Sequence, residues 1–385
     1  MTAAAAYPAP LITFGPRVRK SPFFEATRRY GCRAYSVYNH MYMPLFFEDP
    51  VTDFWHLVEG VTLWDVACER QVEISGPDAA QFVQLLTPRN LSKFAAGQCK
   101  YGLITNHQGS VINDPILLRL ADDRFWLSVA DSDILLWAQG VAWHSNLRVE
   151  ITEPDVSPLQ IQGPKSLQLM RNLCGGWIDK LRYYWFRETD INGMPVVVSR
   201  TGWSGELGYE IFLRDGNSGD DLWEYIMASG AEFEIVPGAP SMIRRVEAGM
   251  LSYGGDMRGN ANPYELGLDR LVDLNQITNF IGKSALQGIH AQGITRKLCG
   301  LQIHGEPITS NEQHWPIHGA TGHVGHVTSA VYSPRLKKNI ALAIVDLEHT
   351  AIGTELSIDI GPTNSLANVV KYPFYDPKHE LVRGS

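Results

Sequence analysis

Three stretches of this chain place titratable groups where a fold can turn them into chemistry. Val111-Ile112-Asn113-Asp114-Pro115 sets a carboxylate after an apolar pair and before a proline, a position expected at the end of an element, where a side chain can face a cleft. That carboxylate has two readings: a group that stabilises charge or takes a proton, or an Asx-type cap of the turn. Arg200-Thr201-Gly202-Trp203-Ser204-Gly205-Glu206-Leu207-Gly208-Tyr209-Glu210-Ile211 runs from a glycine-rich loop into a strand. Alternation along the strand turns Glu210 to the face opposite Tyr209 and Ile211. Buried there it needs donors, either the N–H edge of a ligand or a nearby arginine. Arg244-Arg245-Val246-Glu247-Ala248-Gly249-Met250 places charges in an otherwise apolar helix, which reads on its own as an intrahelical or interdomain ion pair.

Other signals fail on spacing. Gly282-Lys283-Ser284 resembles the end of a phosphate loop, but the glycine required five residues earlier is Ile277. Gly202, Gly205 and Gly208 lack the GxGxxG order of a dinucleotide site, and strands flank them. His314, His318, His323 and His326 share no Cys or acidic ligand at metal spacing, so they read as turn and strand-end residues and no metal site is expected. Trp203-Ser204-Gly205 is an incomplete nucleophile elbow.

The elements that must carry these groups alternate. Val72-Glu73-Ile74 reads as a strand, Ser75-Gly76-Pro77-Asp78 as a turn with Pro77 or Asp78 opening a helix, and Ala79 to Leu86 as that helix. Leu159 to Pro164 and Lys165 to Leu173 repeat the pattern, with Gly-Pro again at the junction, a hint of internal duplication. Strands are expected within Val111 to Leu120 and over Arg124 to Val129, and a helix over Asp131 to Trp143 with Asp131 or Ser132 as N-cap. Met194 to Val198 and Gly208 to Leu213 read as strands, and Met242 to Leu251 as a helix ended by Gly254-Gly255. From 297 to 376 the pattern is short strands and turns. The expected class is α+β followed by β, with a small all-β domain over 297–376.

A chain of 385 residues exceeds one ordinary core. Its net charge of −8 argues against a general nucleic-acid binder. Five unpaired cysteines without a CxxC fit reduced thiols in a cytoplasm. The opening MTAAAAYPAP is too short and proline-broken for a secretory h-region, and no stretch reaches the roughly 20 apolar residues of a membrane span.

Taken together, the motifs resemble those of the glycine-cleavage T-protein (aminomethyltransferase) superfamily. Val72 to Ala79, Ile161 to Pro164, Arg200-Thr201-Gly202, Gly208 to Ile211, Arg245 to Gly249, Asn279 to Lys283, and Gly325 to Ser329 with Ser333 to Ile340 follow the family's order. Ala34 to Pro44 replaces an Ala-Gly-Trp-x-Met-Pro pattern, and with Glu69 to Val72, Ala130 to Asp133, Glu153 to Pro158 and Asn262 to Glu265 it resembles the dimethylsulfoniopropionate demethylase branch. The resemblance implies a three-domain cloverleaf around a central folate channel: a module over 1–289 of two α+β domains, divided near 155 and open to interleaving, and a C-terminal β-barrel over 297–376. It implies Asp114 as the catalytic carboxylate, and Tyr101, Asp114, Glu210, Trp203 and Arg245 as tetrahydrofolate contacts.

A demethylase of this branch would move a methyl group from dimethylsulfoniopropionate to tetrahydrofolate, giving 5-methyltetrahydrofolate and methylthiopropionate. A sulfonium carries its own leaving group, so the protein's task is alignment, exclusion of water and management of one proton. Aromatic faces suit a permanent cation, and Tyr38, Tyr42 and Trp203 are the substrate candidates. Trp64 is a further aromatic candidate, also readable as core. Arg70, His40 and backbone amides stand open for the substrate carboxylate; Arg335, Lys337 or Arg245 suit the anionic folate tail. Competing readings are a methylamine or aminomethyl-lipoyl donor and a non-catalytic folate-binding regulator; no fused flavin domain is present. Partners are a small sulfonium or methylamine, with room left for a homodimer, and neither nucleic acid nor membrane.

Overall fold

The computed structural model describes residues 13–320, 322–361 and 363–384, so the opening MTAAAAYPAP stretch lies outside the described residues. Two sheets and a barrel organise the chain. The first sheet has five antiparallel strands in the order Glu150–Thr152, Gln71–Ser75, Arg124–Ser128, Ile116–Ala121, Cys99–Tyr101. The second has six, ordered Phe186–Ile191, Met194–Ser199, Gly208–Leu213, Ser157–Gln162, Thr62–Asp65, Val236–Gly238, with only the last pairing parallel. Thr62–Asp65 precedes the first sheet in sequence yet sits inside the second.

Period-2 alternation decides what each sheet buries. Leu159, Ile161, Val196, Val198, Tyr209 and Ile211 pack on the helices Ser166–Cys174 and Gly219–Ser229. Val72, Ile74, Leu117, Phe125 and Leu127 pack on the helices Ala79–Leu86 and Ile134–Ser145. The alternate residues Leu118 and Trp126 of the first sheet meet Val197 and Phe212 of the second, so the sheets face each other. The two Gly-Pro junctions are built alike. Gly76 and Gly163 both adopt φ +121, where an added Cβ would lie 2.6 Å from the Arg148 carbonyl and 2.5 Å from the Gly60 carbonyl. Only glycine serves there.

Residues 296–370 close a six-stranded barrel. In it His318 pairs with Asp359 at 2.8 Å, and the His314 and His326 rings stack at 4.8 Å.

Some local expectations are corrected. The helix begun at Met242 stops at Glu247, because Gly249 turns left-handed (φ 63) and the Met250 N–H closes on the Arg245 carbonyl at 2.9 Å. Pro115 divides the Val111 to Leu120 segment, whose halves join different sheets. Asp133 rather than Asp131 or Ser132 precedes the helix Ile134–Ser145, without a side-chain cap.

The short helix Met242–Glu247 fastens the barrel. Arg244 donates to Glu206 Oε1 at 2.6 Å and to the Gly205 carbonyl at 2.8 Å. Glu247 accepts from Ser333 of the barrel at 2.6 Å, and its carbonyl accepts the N–H groups of Phe374 and Tyr375. Arg335, stacked 4.0 Å over Tyr375, lies 4.0 Å from Glu206 and 3.9 Å from Glu247. Arg244 and Glu247 are wholly buried. Removing one member strands charges in the interior, so Arg244→Ala is expected to cost about 3–5 kcal/mol of unfolding free energy. Urea titration checks this; a loss below about 1 kcal/mol would mean the knot contributes no more than a surface pair.

Candidate active site

The polar end of the seam between the sheets gathers carboxylates. Glu210 is directly opposite Gln160 on one neighbouring strand and Ser199 on the other. Gln160 Nε2 donates to Glu210 Oε1 at 2.7 Å, while Thr201 and Ser199 hydroxyls donate to Oε2. Its donors are thus neutral cross-strand partners, not an arginine. The loop bearing Thr201 is pinned by Gln162. An added Cβ on Gly202 would lie 2.2 Å from the Gln162 amide nitrogen, and one on Gly208 would lie 2.0 Å from its oxygen. Both glycines exist to admit that side chain. Gln162 then accepts from Ser204 at 2.6 Å, and Gln160 accepts the Trp203 N–H at 3.4 Å.

Asp114 follows the strand Val111–Asn113, and its charge and that of Glu210 both act on Glu69. The Tyr101 hydroxyl donates to Asp114 Oδ2 at 2.9 Å, and the Gly102 N–H donates to the Pro115 carbonyl at 2.9 Å, locking the turn. Part of Asp114 stays open to solvent, but surrounding protein strips much of its hydration. Burial raises its carboxyl to about 7, with Asp256 adding repulsion and the Tyr101 bond acting the other way. Burial also raises Glu210, opposed by its three hydrogen bonds.

A third acid, Glu69, completes the group. It follows strand Thr62–Asp65 in a turn, and burial together with the charges of Glu210 and Asp114 pushes its carboxyl well up. Among the described residues none of Glu69, Asp114 and Glu210 forms a salt bridge. Tyr38 feels Glu69 and Asp114, Tyr184 feels Glu210, and Tyr253 feels Asp114, each phenol raised chiefly by burial. Tyr184 adopts the left-handed backbone (φ 61), a strained state for an aromatic residue.

The structure therefore brings together Tyr38, Tyr101, Asp114 and Glu210. Other expected residues stand elsewhere. Tyr42 lies on the opposite face of the Ala34–Tyr38/Met41–Phe46 ribbon, since it pairs with Val37 whereas Tyr38 pairs with Met41. Its ring sits among Phe14, Phe24 and Tyr35, with its hydroxyl accepting the Gly15 N–H at 2.9 Å. Alternation sends it to an aromatic core, away from the acids. Trp64 is wholly buried, its Nε1 donating to Thr62 at 2.8 Å. Arg245 is an interdomain clamp: it meets Asp256 at 2.8 Å, Ser329 of the barrel at 2.5 Å and the Met250 carbonyl at 3.2 Å. Those partners occupy its guanidinium; Trp203, half-buried, has this cation 5.8 Å from its ring. Arg70 is held by both oxygens of Glu153, and His40 faces Asp133 at 3.3 Å.

Glu69, Tyr184 and Tyr253 escaped the sequence reading as site residues. An acid directly after the apolar Val66-Ala67-Cys68 was the available signal for Glu69. The two tyrosines carry no local pattern, for only packing brings them in.

The arrangement can do two things: accept hydrogen bonds from an N–H-rich ligand, and attract a cation that brings no acid of its own. Residues 23–276 match the GCVT N-terminal domain family, and 296–376 match the glycine cleavage T-protein C-terminal barrel domain. A dimethylsulfoniopropionate demethylase of Ruegeria pomeroyi is 40% identical over 89% of this chain and 93% of its own length. An aminomethyltransferase of Symbiobacterium thermophilum is 31% identical over 94% and 98%. The crystal structure of the aminomethyltransferase T of the Bartonella henselae glycine cleavage system superposes with a TM-score of 0.84 at 21% identity, covering 94% of this chain and 99% of that one, a likeness of fold.

The raised Asp114 carboxyl has a consequence for stability. Between its ordinary 3.8 and about 7 the folded protein keeps a proton that the unfolded chain has released, so stability falls as pH rises through that window. Asp114→Asn is expected to gain stability relative to the parent chain at about pH 8, with the gain shrinking towards about pH 4. Thermal unfolding across the range tests this; a pH-independent difference contradicts it.

Proposed function

Because this chain belongs to the glycine cleavage T-protein family, we propose that it is a demethylase moving a methyl group from dimethylsulfoniopropionate to tetrahydrofolate. The coarser statement stands on the family: the chain is a one-carbon transferase, and tetrahydrofolate is the acceptor that family uses. The choice of donor rests on one observation, two acids without a basic partner among the described residues, Glu69 and Asp114, whose charges act on Tyr38. An onium ion cannot be deprotonated, so surrounding carboxylates and a phenol face supply its counter-charge. The 40% identity to a demethylase supports the same donor. Five cysteines, all free, suit a compartment that keeps thiols reduced, and we place the enzyme in the cytoplasm.

The residues fit tetrahydrofolate on this structure's own terms. Glu210, buried and held by neutral donors, offers carboxylate lone pairs to a pterin N–H edge, and Tyr101 flanks it. When bound, tetrahydrofolate supplies the nucleophilic nitrogen and carries the methyl group away. The chain's own contribution is alignment, a dry site and one proton. Asp114 Oδ2 is committed to Tyr101, which leaves Oδ1 to take the proton released during transfer. A carboxyl near 7 exchanges a proton easily at neutral pH. Tyr38 lines the donor side.

Incubation with tetrahydrofolate and a panel of sulfonium, methylamine and aminomethyl-lipoyl donors, scored for methylated folate and demethylated product, tests the reading. Dimethylsulfoniopropionate is expected to lead the panel, and turnover confined to the lipoyl donor would make the chain an aminomethyltransferase like its 31% relative. Folate binding without turnover of any donor would make it a regulator. Asp114→Asn is expected to slow transfer by about 10²-fold or more with folate still bound; undiminished turnover excludes it from the proton step. Glu210→Ala is expected to weaken folate binding about tenfold, roughly 1.4 kcal/mol, and donor binding less. Titrations in the reverse order would refute its role.

A further inference from the structure

Tyr38 and Asp114 come from elements far apart in sequence, and each is followed or preceded by a buried asparagine. Asn113 is wholly buried and pairs with Ala130 as a peptide group would. Its Oδ1 accepts the Ala130 N–H at 3.1 Å, and its Nδ2 donates to the Ala130 carbonyl at 3.0 Å and to Ser132 Oγ at 2.9 Å. Ser132 in turn donates to the Ile112 carbonyl at 2.7 Å. Asn39 is 3% exposed and arrives at the same atom: its Nδ2 donates to the Ala130 carbonyl at 3.0 Å, and to the carbonyls of Cys68 at 3.0 Å and Val129 at 3.2 Å. Its own N–H is taken by Asp131 Oδ1 at 2.7 Å.

Among the described residues the ribbon that carries Tyr38 has two strands, turned by Asn39 and His40 at φ 47 and 62, with one isolated bridge beyond it, from Arg19 to Met41. Two strands alone hold their place weakly. The Asn39 amide adds three side-chain hydrogen bonds that tie the turn to the site, beside the bond of its own N–H to Asp131. Glu69 hangs from the same hub, since Asn39 grips the preceding Cys68 carbonyl and the Val129 N–H grips the Arg70 carbonyl at 3.0 Å.

We propose that Asn39 and Asn113 are a positioning pair, meeting at the backbone of Ala130 and setting the separation of the donor-side Tyr38 from Asp114. The proposal rests on the reading of those two sides given above. Neither asparagine touches a reactant; each acts through the residue beside it. Buried amides suit the task because each presents directed donors, and misplacement of reacting groups by about 1 Å can cost about 10²-fold in rate.

The test is the single-turnover rate at saturating donor, normalised to bound tetrahydrofolate, so that unfolded protein does not count. The donor is whichever member of the panel the wild-type enzyme turns over, which separates failure of the sulfonium assignment from failure of the pair. Asn39→Ala and Asn113→Ala are each expected to slow transfer per bound folate about tenfold or more, with folate affinity within about threefold of wild type. A purely structural role would lower the folded fraction and leave that rate alone, so rates within about twofold of wild type in both variants overturn the proposal. Ser132→Ala keeps both asparagines and removes one support of Asn113, and serves if either alanine variant fails to fold. It is expected to slow transfer about threefold, and an unchanged rate there is equally fatal.

Discussion

Carboxylates held inside a protein without a basic partner are the constraint on which this structure turns. Moving an ionised acid out of water is costly, and proteins ordinarily answer with an arginine or by keeping the acid protonated. Here the charges of Asp114 and Glu210 both bear on Glu69, and each of the three is driven towards its neutral form by burial. Such a group of acids is a standing demand for positive charge and for N–H donors. A cationic donor and a donor-rich heterocycle answer both demands.

The contrast with the rest of the chain sharpens this. A few residues away, Arg244, Arg245, Glu206, Glu247 and Asp256 are also buried, yet every one has an opposite charge within 4.0 Å. Those groups join the barrel to the sheets, and Arg335 reaches into the same knot. The protein thus has the means to pair buried acids and leaves Glu69, Asp114 and Glu210 without a basic partner among the described residues; Asp65, also buried without one, is instead held by Ser21 and the Ala67 N–H. Placing these two kinds of cluster side by side makes the barrel part of the site's support: Asp256, which raises Asp114 by repulsion, is itself held by barrel residues Thr328 and Ser329 at 2.5 and 2.7 Å.

Several elements were legible from local pattern. Gly208–Leu213 was read with its observed ends, and Glu210 was turned to the correct face, because period 2 leaves no freedom once the strand is known. The Gly-Pro junctions were read as strand, turn and helix, and share φ +121. The ion-pair reading of Arg245, drawn from the residues alone, matches its place in the structure better than the folate contact drawn from resemblance. Other points were not legible. Tyr42 and Tyr38 are separated by four residues of a ribbon whose pairing register puts them on opposite faces, and register depends on the turn at Asn39. The arginine alternative for Glu210 is not met: within the chain its donors are the cross-strand Gln160 and Ser199 with Thr201.

The sequence by itself determined the class of elements, the all-β character of the end of the chain, and the identity of Asp114 and Glu210 as groups in search of partners. Periodicity, glycine and proline chemistry, and hydrophobic alternation are local, and they need no knowledge of neighbours. Only the tertiary structure decided which acids meet. Glu69, Asp114 and Glu210 lie on three segments brought together when two sheets close face to face, with the outer hairpin staked at Ala130 by two buried amides. That convergence is set by packing and long-range hydrogen bonds, whose partners no local window contains.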